Sequence, residues 1–308
     1  MNIGYFADGP WSHEAIRLIS ETEGLNISFI VPRFDTQDPV LKDWADRLGV
    51  PYIPVKNVNS EEFIQDIKKY DADLFISMSF NQILRKEIIN TPKLGFINCH
   101  AGALPFYRGR NPLNWALING EKSFGITVHY VDEGIDTGDI IEQRLYPISL
   151  SDDYASLLEL AINECANVLH SATVKLNHNK AKRLKQTDIH PVGTYFGMRT
   201  FGDEIIDFHW PSVQVHNFIR AINWPGPCAR CLIEDTEYAI QLSELISDAP
   251  SYIATVGEVL GRTNKGVVVK VGDKTILLTL MAEIETGMPS KSFIPQFRIG
   301  TRFNLKSK

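Results

Sequence analysis

The hydrophobic pattern changes period along the chain, and the change divides it. In the first part, short apolar runs alternate with stretches whose apolar residues recur three and four apart. Residues 3–6 read as a buried strand, Ala-Asp-Gly-Pro as a turn, and residues 12–19 as a helix N-capped at Ser12. Similar units follow: strand at 27–31, helix at 39–48, a short strand at 52–54, helix at 60–70 and strand at 74–78. Alternating strands and helices predict an α/β domain with a doubly wound, mainly parallel sheet. The strand at 94–97 then runs into Asn98-Cys99-His100, a helix covers 111–119, a strand covers 125–131 and a helical stretch covers 153–177.

From about residue 201 the pattern turns to β. After one amphipathic helix over 212–222, with Val215, Phe218, Ile219 and Ile222 at helical spacing, short runs at 228–233, 238–245, 254–262, 266–271 and 275–281 are separated by Asn-Lys-Gly and Gly-Asp-Lys turns. About five short strands in under a hundred residues suit a small, partly open barrel of OB type. The boundary falls near Arg199 to Asp203, giving domains 1–203 and 204–308. The length of 308 residues fits that division.

Composition narrows the partners. A net charge of −6 supplies no global attraction for a polyanion, so nucleic-acid binding would need a local basic patch. The cysteines, Cys99, Cys165, Cys228 and Cys231, are too few for a disulfide scaffold and fit a reducing cytoplasm. Cys228-Ala-Arg-Cys231 has C-x-x-C spacing but no second ligand pair, so it reads as two small apolar residues on a strand and no metal site is expected. No stretch reaches the ~18 apolar residues of a membrane span, and no secretory leader opens the chain, which makes a cytoplasmic protein without membrane contact the expectation.

The chemistry concentrates in two places. Asn98 and His100 are two apart at the carboxyl end of a strand, so they project from one face where open α/β sheets bind ligands. On spacing alone they also fit an asparagine satisfying loop backbone and a hydrogen-bonded core histidine. The second place, Asp132-Glu133-Gly134-Ile135-Asp136-Thr137-Gly138-Asp139, is a glycine-flanked acidic loop after the next strand. A carboxylate there can orient an imidazole and favour its charged form; a solvated Asx turn is the plainer reading. His13 and His129 read as structural.

Asn98-x-His100, the run Leu104-Pro105-x-x-x-Gly109 and the loop Gly134-Ile135-Asp136-Thr137-Gly138, in this order, resemble the 10-formyltetrahydrofolate-dependent formyltransferase family. The resemblance covers nearly the whole chain and implies a Rossmann-like catalytic domain followed by a small OB-like domain. The stretch from Arg108 to Trp115 is similar to the sugar N-formyltransferase branch that acts on nucleotide-linked aminoarabinose, and Phe196-Gly197-Met198-Arg199-Thr200 is similar to the same branch. Ala101-Gly102-Ala103 stands where relatives carry a serine, so no hydroxyl role is carried over at that position. The resemblance implies that Asn98 stabilises the developing oxyanion, that His100 transfers the proton and that Asp136 orients and charges it. It implies a folate site along Gln82, Ile83 and Leu84, with Arg110 nearby and with Asp132, Glu133, Gly134 and Ile135 contributing mainly through their backbone. The co-substrate is then 10-formyltetrahydrofolate, and the acceptor a UDP- or dTDP-linked amino sugar used in cell-surface polysaccharide such as lipopolysaccharide, on an enzyme able to form a homodimer.

The rival within the family is methionyl-tRNA formyltransferase, which resembles this chain but engages its polyanion with a basic insertion after the second strand. Here the matching stretch, 32–49, sets Arg33, Lys42 and Arg47 against Asp35, Asp38, Asp43 and Asp46. The remaining basic cluster, Lys175, Lys180, Lys182, Arg183 and Lys185, has no interleaved aromatics and reads as a solvated face, so nucleic acid is not the expected partner. Outside transfer altogether, a silent folate- or nucleotide-binding protein and a formate-releasing hydrolase remain compatible with the composition.

Overall fold

β1 (Asn2–Ala7) is buried from Ile3 onward, and Gly9 turns it into α1 (Pro10–Ser20). The chain continues through β2 (Asn26–Pro32), α2 (Pro39–Leu48), α3 (Glu61–Lys68), β3 (Leu74–Met78), α4 (Lys86–Ile89), β4 (Phe96–His100), β5 (Arg108–Gly109) and α5 (Pro112–Ile118). Then come β6 (Ser123–Tyr130), β7 (Ile140–Pro147), α6 (Tyr154–Asn177), α7 (Gln186–Ile189) and β8 (Tyr195–Phe196). The last elements are α8 (Ser212–Ala221), β9 (Ala229–Ile233), β10 (Thr236–Leu245), β11 (Val259–Thr263), β12 (Gly266–Lys270), β13 (Thr275–Glu285) and β14 (Met288–Pro289). These come from a computed structural model that describes residues 1–303 and separates the chain into two units.

The first unit comprises Met1–Pro112, Ser123–Pro147 and Glu159–Gly197. Its six-stranded sheet has the order β2-β1-β3-β4-β6-β7, parallel from β2 to β4 and antiparallel at β4–β6 and β6–β7. Strand order reverses between β1 and β3, the switch point at which doubly wound sheets open a crevice. One flank is closed by a phenylalanine cluster in which Phe6 meets Phe29 at 5.8 Å and 83°, and Phe75 meets Phe96 at 5.5 Å and 81°. Each such edge-on pair adds about 0.5–1.5 kcal/mol beyond burial. Gly4 makes room for them, since a Cβ there would lie 2.4 Å from the Phe29 ring.

The second unit gathers Leu113–Lys122, Ile148–Leu158 and the residues from Met198 onward. Its sheet is antiparallel, ordered β11-β12-β13-β10-β9, with β14 on β13. Irregular register in β10 between Ile240 and Ser243 bends the sheet. The chain near 301–303 then reaches both edges: Val259 N–H donates to Thr301 O at 2.9 Å, Phe303 N–H donates to Gly257 O at 2.9 Å, and Phe303 bridges Ile233 of β9. That closure suits the expected barrel-like β domain.

Several local expectations change. α1 starts at Pro10 rather than after a cap at Ser12, because proline fits the first helical position and the Ser12 hydroxyl instead donates to Gly9 O at 2.8 Å. The strand at 52–54 reduces to one bridge between Tyr52 and Ile30. β4 begins at Phe96, since Gly95 takes φ 88°, and it runs through His100, so the polar pair lies inside the strand. The run expected at 254–262 becomes a strand only from Val259. β7 was not expected: it is an edge strand whose solvated part, with Arg144 paired to Glu142 at 2.8 Å, interrupts the apolar signal.

Candidate active site

Residues on β4 alternate faces, and the ladder to β6 sets their neighbours. Asn98 pairs with His129, and His100 with Thr127. Between them, Cys99 brings its thiol to 3.6 Å from Cys165 O. His100 is 8% exposed, and its Nε2 lies 2.7 Å from Tyr107 O. A carbonyl can only accept, so Nε2 carries a proton and Nδ1 is left to face Asp136 Oδ2 at 3.6 Å. Gly102 is what permits this: a Cβ there would fall 2.5 Å from His100 Nε2 and 2.7 Å from Tyr107 O. The same turn is tied down by Thr127, whose hydroxyl donates to Gly102 O at 2.7 Å, and by Gln143, whose amide donates to Leu104 O at 2.8 Å.

Asp136 sits between two imidazoles. Its backbone takes φ 53°, in the left-handed region that non-glycine residues seldom adopt. One carboxylate oxygen accepts from Gly109 N–H at 2.9 Å and faces His100; the other lies 3.4 Å from His129 Nε2. His129 is pinned like His100, for its Nδ1 donates to Tyr130 O at 2.8 Å, while Asn98 Nδ2 lies 3.3 Å from its Nε2. Burial works against ionisation of Asp136, but His100, His129 and the Gly109 N–H outweigh it and hold the carboxyl well below the usual carboxylate range. Each ring therefore has one nitrogen fixed as donor by a main-chain carbonyl and the other turned to one shared, ionised carboxylate.

These four residues line a cavity of about 470 Å³ at the carboxyl ends of β3 and β4, completed by residues 80–84, Arg110, Asp132, Gly134, Ile135 and Tyr195. Ile83 is 76% exposed and Ile135 51% exposed, so neither is core. Gln82 turns its amide away from the chemistry: it donates to Val55 O and accepts from Val58 N–H, both at 3.0 Å. Asn59 holds Ile83 O at 2.8 Å and accepts from Arg85 N–H at 2.8 Å, which fixes the 83–85 backbone at the rim beside Leu84. Asp132 forms an Asx turn, accepting from Gly134 N–H at 3.1 Å and from the Thr137 hydroxyl at 2.5 Å. Glu133 is exposed and lies outside the cavity wall. The loop's glycine fits a close approach, because a Cβ on Gly138 would lie 1.8 Å from Tyr130 O.

His129, read from the sequence as structural, is thus brought to the same carboxylate as His100. Only the pairing of β4 with β6 reveals that. Gln186 was not singled out either; it is 3% exposed and holds the Asp136 loop from behind. His13 does serve the fold: its Nε2 lies 2.6 Å from Asp38, which also accepts from Gly9 N–H at 2.7 Å beside the start of α1. Cys228 and Cys231 are buried free thiols, and burial pushes both up from the ordinary thiol range. Among the described residues no group of three or more His, Cys, Asp or Glu is placed to hold a metal ion, and no helix is long and apolar enough to cross a membrane.

Residues 15–173 match the formyl transferase family, and residues 200–298 match the formyl transferase C-terminal domain. The methionyl-tRNA formyltransferase of Ruminiclostridium cellulolyticum is 32% identical over 267 residues, covering 83% of this chain and 84% of its own. That of Caldanaerobacter subterraneus subsp. tengcongensis is 36% identical over 215 residues, covering 66% and 69%. Among solved structures, an N-formyltransferase from Helicobacter canadensis, in complex with folinic acid and dTDP-3-aminofucose, gives a TM-score of 0.67 at 20% identity, covering 90% of this chain and 98% of that one. A sugar N-formyltransferase from Shewanella sp. gives 0.62 at 23% identity, covering 80% and 99%. The structural likenesses establish a shared fold.

Proposed function

This chain belongs to the formyl transferase family and is an enzyme of formyl transfer, and from that premise we propose that it carries the formyl group of 10-formyltetrahydrofolate to the amine of a UDP- or dTDP-linked amino sugar. The cavity suits a folate: exposed Ile83 and Ile135 offer apolar walls, the clamped backbone near 82–84 and 132–135 offers groups for a pterin edge, and Arg110 offers a partner for a carboxylate. When bound, the folate supplies a formyl carbon open to attack by an amine. Asn98 donates an amide N–H to the oxygen that gains charge during that attack. His100, with Nε2 tied to Tyr107 O, works through Nδ1, delivering a proton to the departing nitrogen and regaining one from the amine as it becomes the amide. Asp136 sets an ionised carboxylate beside this nitrogen, and His129 stations its second oxygen.

The acceptor reading rests on one observation, the segment after β2. The connector 33–38 is short, with Asp35 exposed and Asp38 buried, and Arg33 is engaged by Asp8 at 4.0 Å and by Ser79 at 3.2 Å. α2 adds Asp43 and Asp46 against Lys42 and against Arg47, which lies over Trp44 at 5.4 Å. A tRNA enzyme must contact several phosphates, whereas a nucleotide sugar presents two inside a cleft. The alternative acceptor, methionyl-tRNA, is favoured by the 32% identity to that group of relatives. Supply of a cell-surface polysaccharide and a cytoplasmic setting accompany the sugar reading. Tetrahydrofolate release from 10-formyltetrahydrofolate, followed with and without an amino-sugar nucleotide, tests for transfer. Acceptor-dependent release is expected; equal release without acceptor would make the enzyme a formate-releasing hydrolase.

A further inference from the structure

Gln186 opens the short helix α7, is 3% exposed, and has its whole hydrogen-bonding capacity filled. Its Nε2 donates to Asp136 O and to Gly138 O, both at 2.8 Å, and its Oε1 accepts from Arg108 Nε at 3.0 Å and Nη2 at 2.7 Å. Carbonyls only accept and a guanidinium only donates, so the amide has a single workable orientation. Arg108 belongs to β5, and its neighbour Gly109 gives the N–H that holds the Asp136 carboxylate at 2.9 Å. Both ends of Asp136 are therefore referred to one side chain: the main-chain carbonyl directly, the carboxylate through Arg108 and Gly109. Asp136 needs such support, because a left-handed backbone on a non-glycine residue persists only where the surroundings impose it.

We propose that Gln186 is the positioning residue for formyl transfer, locking the Asp136 loop to β5 so that one carboxylate faces both His100 and His129. β5 is itself held from the other side, for Arg108 N–H donates to Thr194 O at 3.0 Å and Arg110 N–H to Phe196 O at 2.9 Å. The loop is thus the adjustable partner and β5 the fixed one. Two substitutions separate the arms. Gln186→Glu preserves volume and the oxygen facing Arg108 but sets an acceptor against Asp136 O and Gly138 O. Gln186→Leu removes both arms.

The inference rests on the reading of His100 and Asp136 as the proton-handling pair, so its test has a readout that needs no acceptor. Nitrogen-15 NMR of the imidazoles, assigned with His100→Asn and His129→Asn, follows the titration of both rings in the full chain, alongside thermal unfolding and formyl-transfer kinetics. In both Gln186 variants the two rings titrate at lower pH than in the parent, because the carboxylate has moved away from them. Turnover falls about ten- to a hundredfold, the usual cost of loosening the support behind a reacting group. A folded variant with unchanged imidazole titrations overturns the inference even if its melting temperature drops. Failure of both variants to fold overturns it as well, making Gln186 a folding residue. Shifted titrations without formyl transfer in the parent leave Gln186 in place and refute the proposed reaction instead.

Discussion

Asp136 is ionised at neutral pH and flanked by two rings that each present one nitrogen to it, at 3.6 and 3.4 Å. An asparagine at 136 keeps the shape and removes the counter-charge, so a proton on His100 is held less well. The pH above which turnover falls therefore moves downward in Asp136→Asn; an unmoved profile would detach the carboxylate from the proton transfer. Asn98→Ala and His100→Ala each lose about a hundredfold or more in turnover, as removal of oxyanion-stabilising groups does, with unfolding transitions unchanged. Gly102→Ala tests the backbone beneath: its Cβ would lie 2.5 Å from His100 Nε2, so the ring must shift. A displacement of about 1 Å costs about a hundredfold, read as lower kcat at constant donor KM. Parent-like kcat would show that the bond to Tyr107 O is dispensable.

The elements explain why some of this was legible in the sequence and some was not. Buried strands announce themselves as apolar runs, so β1, β2, β3 and the end of β4 could be read, and a polar pair at a buried strand end drew attention to Asn98 and His100. β7 could not be read, because Glu142, Arg144 and Lys175 form an ion-paired outer face that hides its period. His129 and Gln186 carry no local signal; each acquires its place from a partner distant in sequence, Asn98 across the ladder and Asp136 across the loop. Glycines in the acidic loop did signal a close approach, and Gly138→Ala tests it. With its Cβ 1.8 Å from Tyr130 O, the variant must displace the loop from β6, costing about 1–3 kcal/mol in urea unfolding together with activity. Full stability would mean that the loop relaxes freely.

Across the whole molecule, His170 and His216 together with Asp38 and Glu142, drawn from both units, tie stability to pH in one direction. Burial lowers the proton affinity of His170 and His216, the latter with help from Arg220, so below the ordinary histidine range near 6.5 the unfolded chain binds these protons first. At lower pH the carboxylates follow. Burial opposes ionisation of Asp38 and Glu142, but His13 and the Val40 and Gly9 N–H groups outweigh it at Asp38, and Lys175, Arg144 and Ser171 outweigh it at Glu142. Their contribution is complete above about pH 4–5 and is lost as pH falls through the lowered folded values. The melting temperature accordingly declines on acidification from about pH 6.5, and His216→Gln flattens the first part of that decline. A melting temperature constant from neutrality to about pH 5 would contradict the assignment.

The acceptor is the central claim, and its electrostatics belong to the same scale. On the proposed reading, a net charge of −6 and an acid-rich segment after β2 argue against gathering the phosphates of a tRNA. The most direct measurement gives the purified protein 10-formyltetrahydrofolate together with each acceptor in turn, a panel of UDP- and dTDP-linked amino sugars and charged methionyl-tRNA, and follows tetrahydrofolate release. Turnover with an amino-sugar nucleotide and none with the tRNA is the predicted result; efficient formylation of methionyl-tRNA with no turnover across the sugar panel would contradict it.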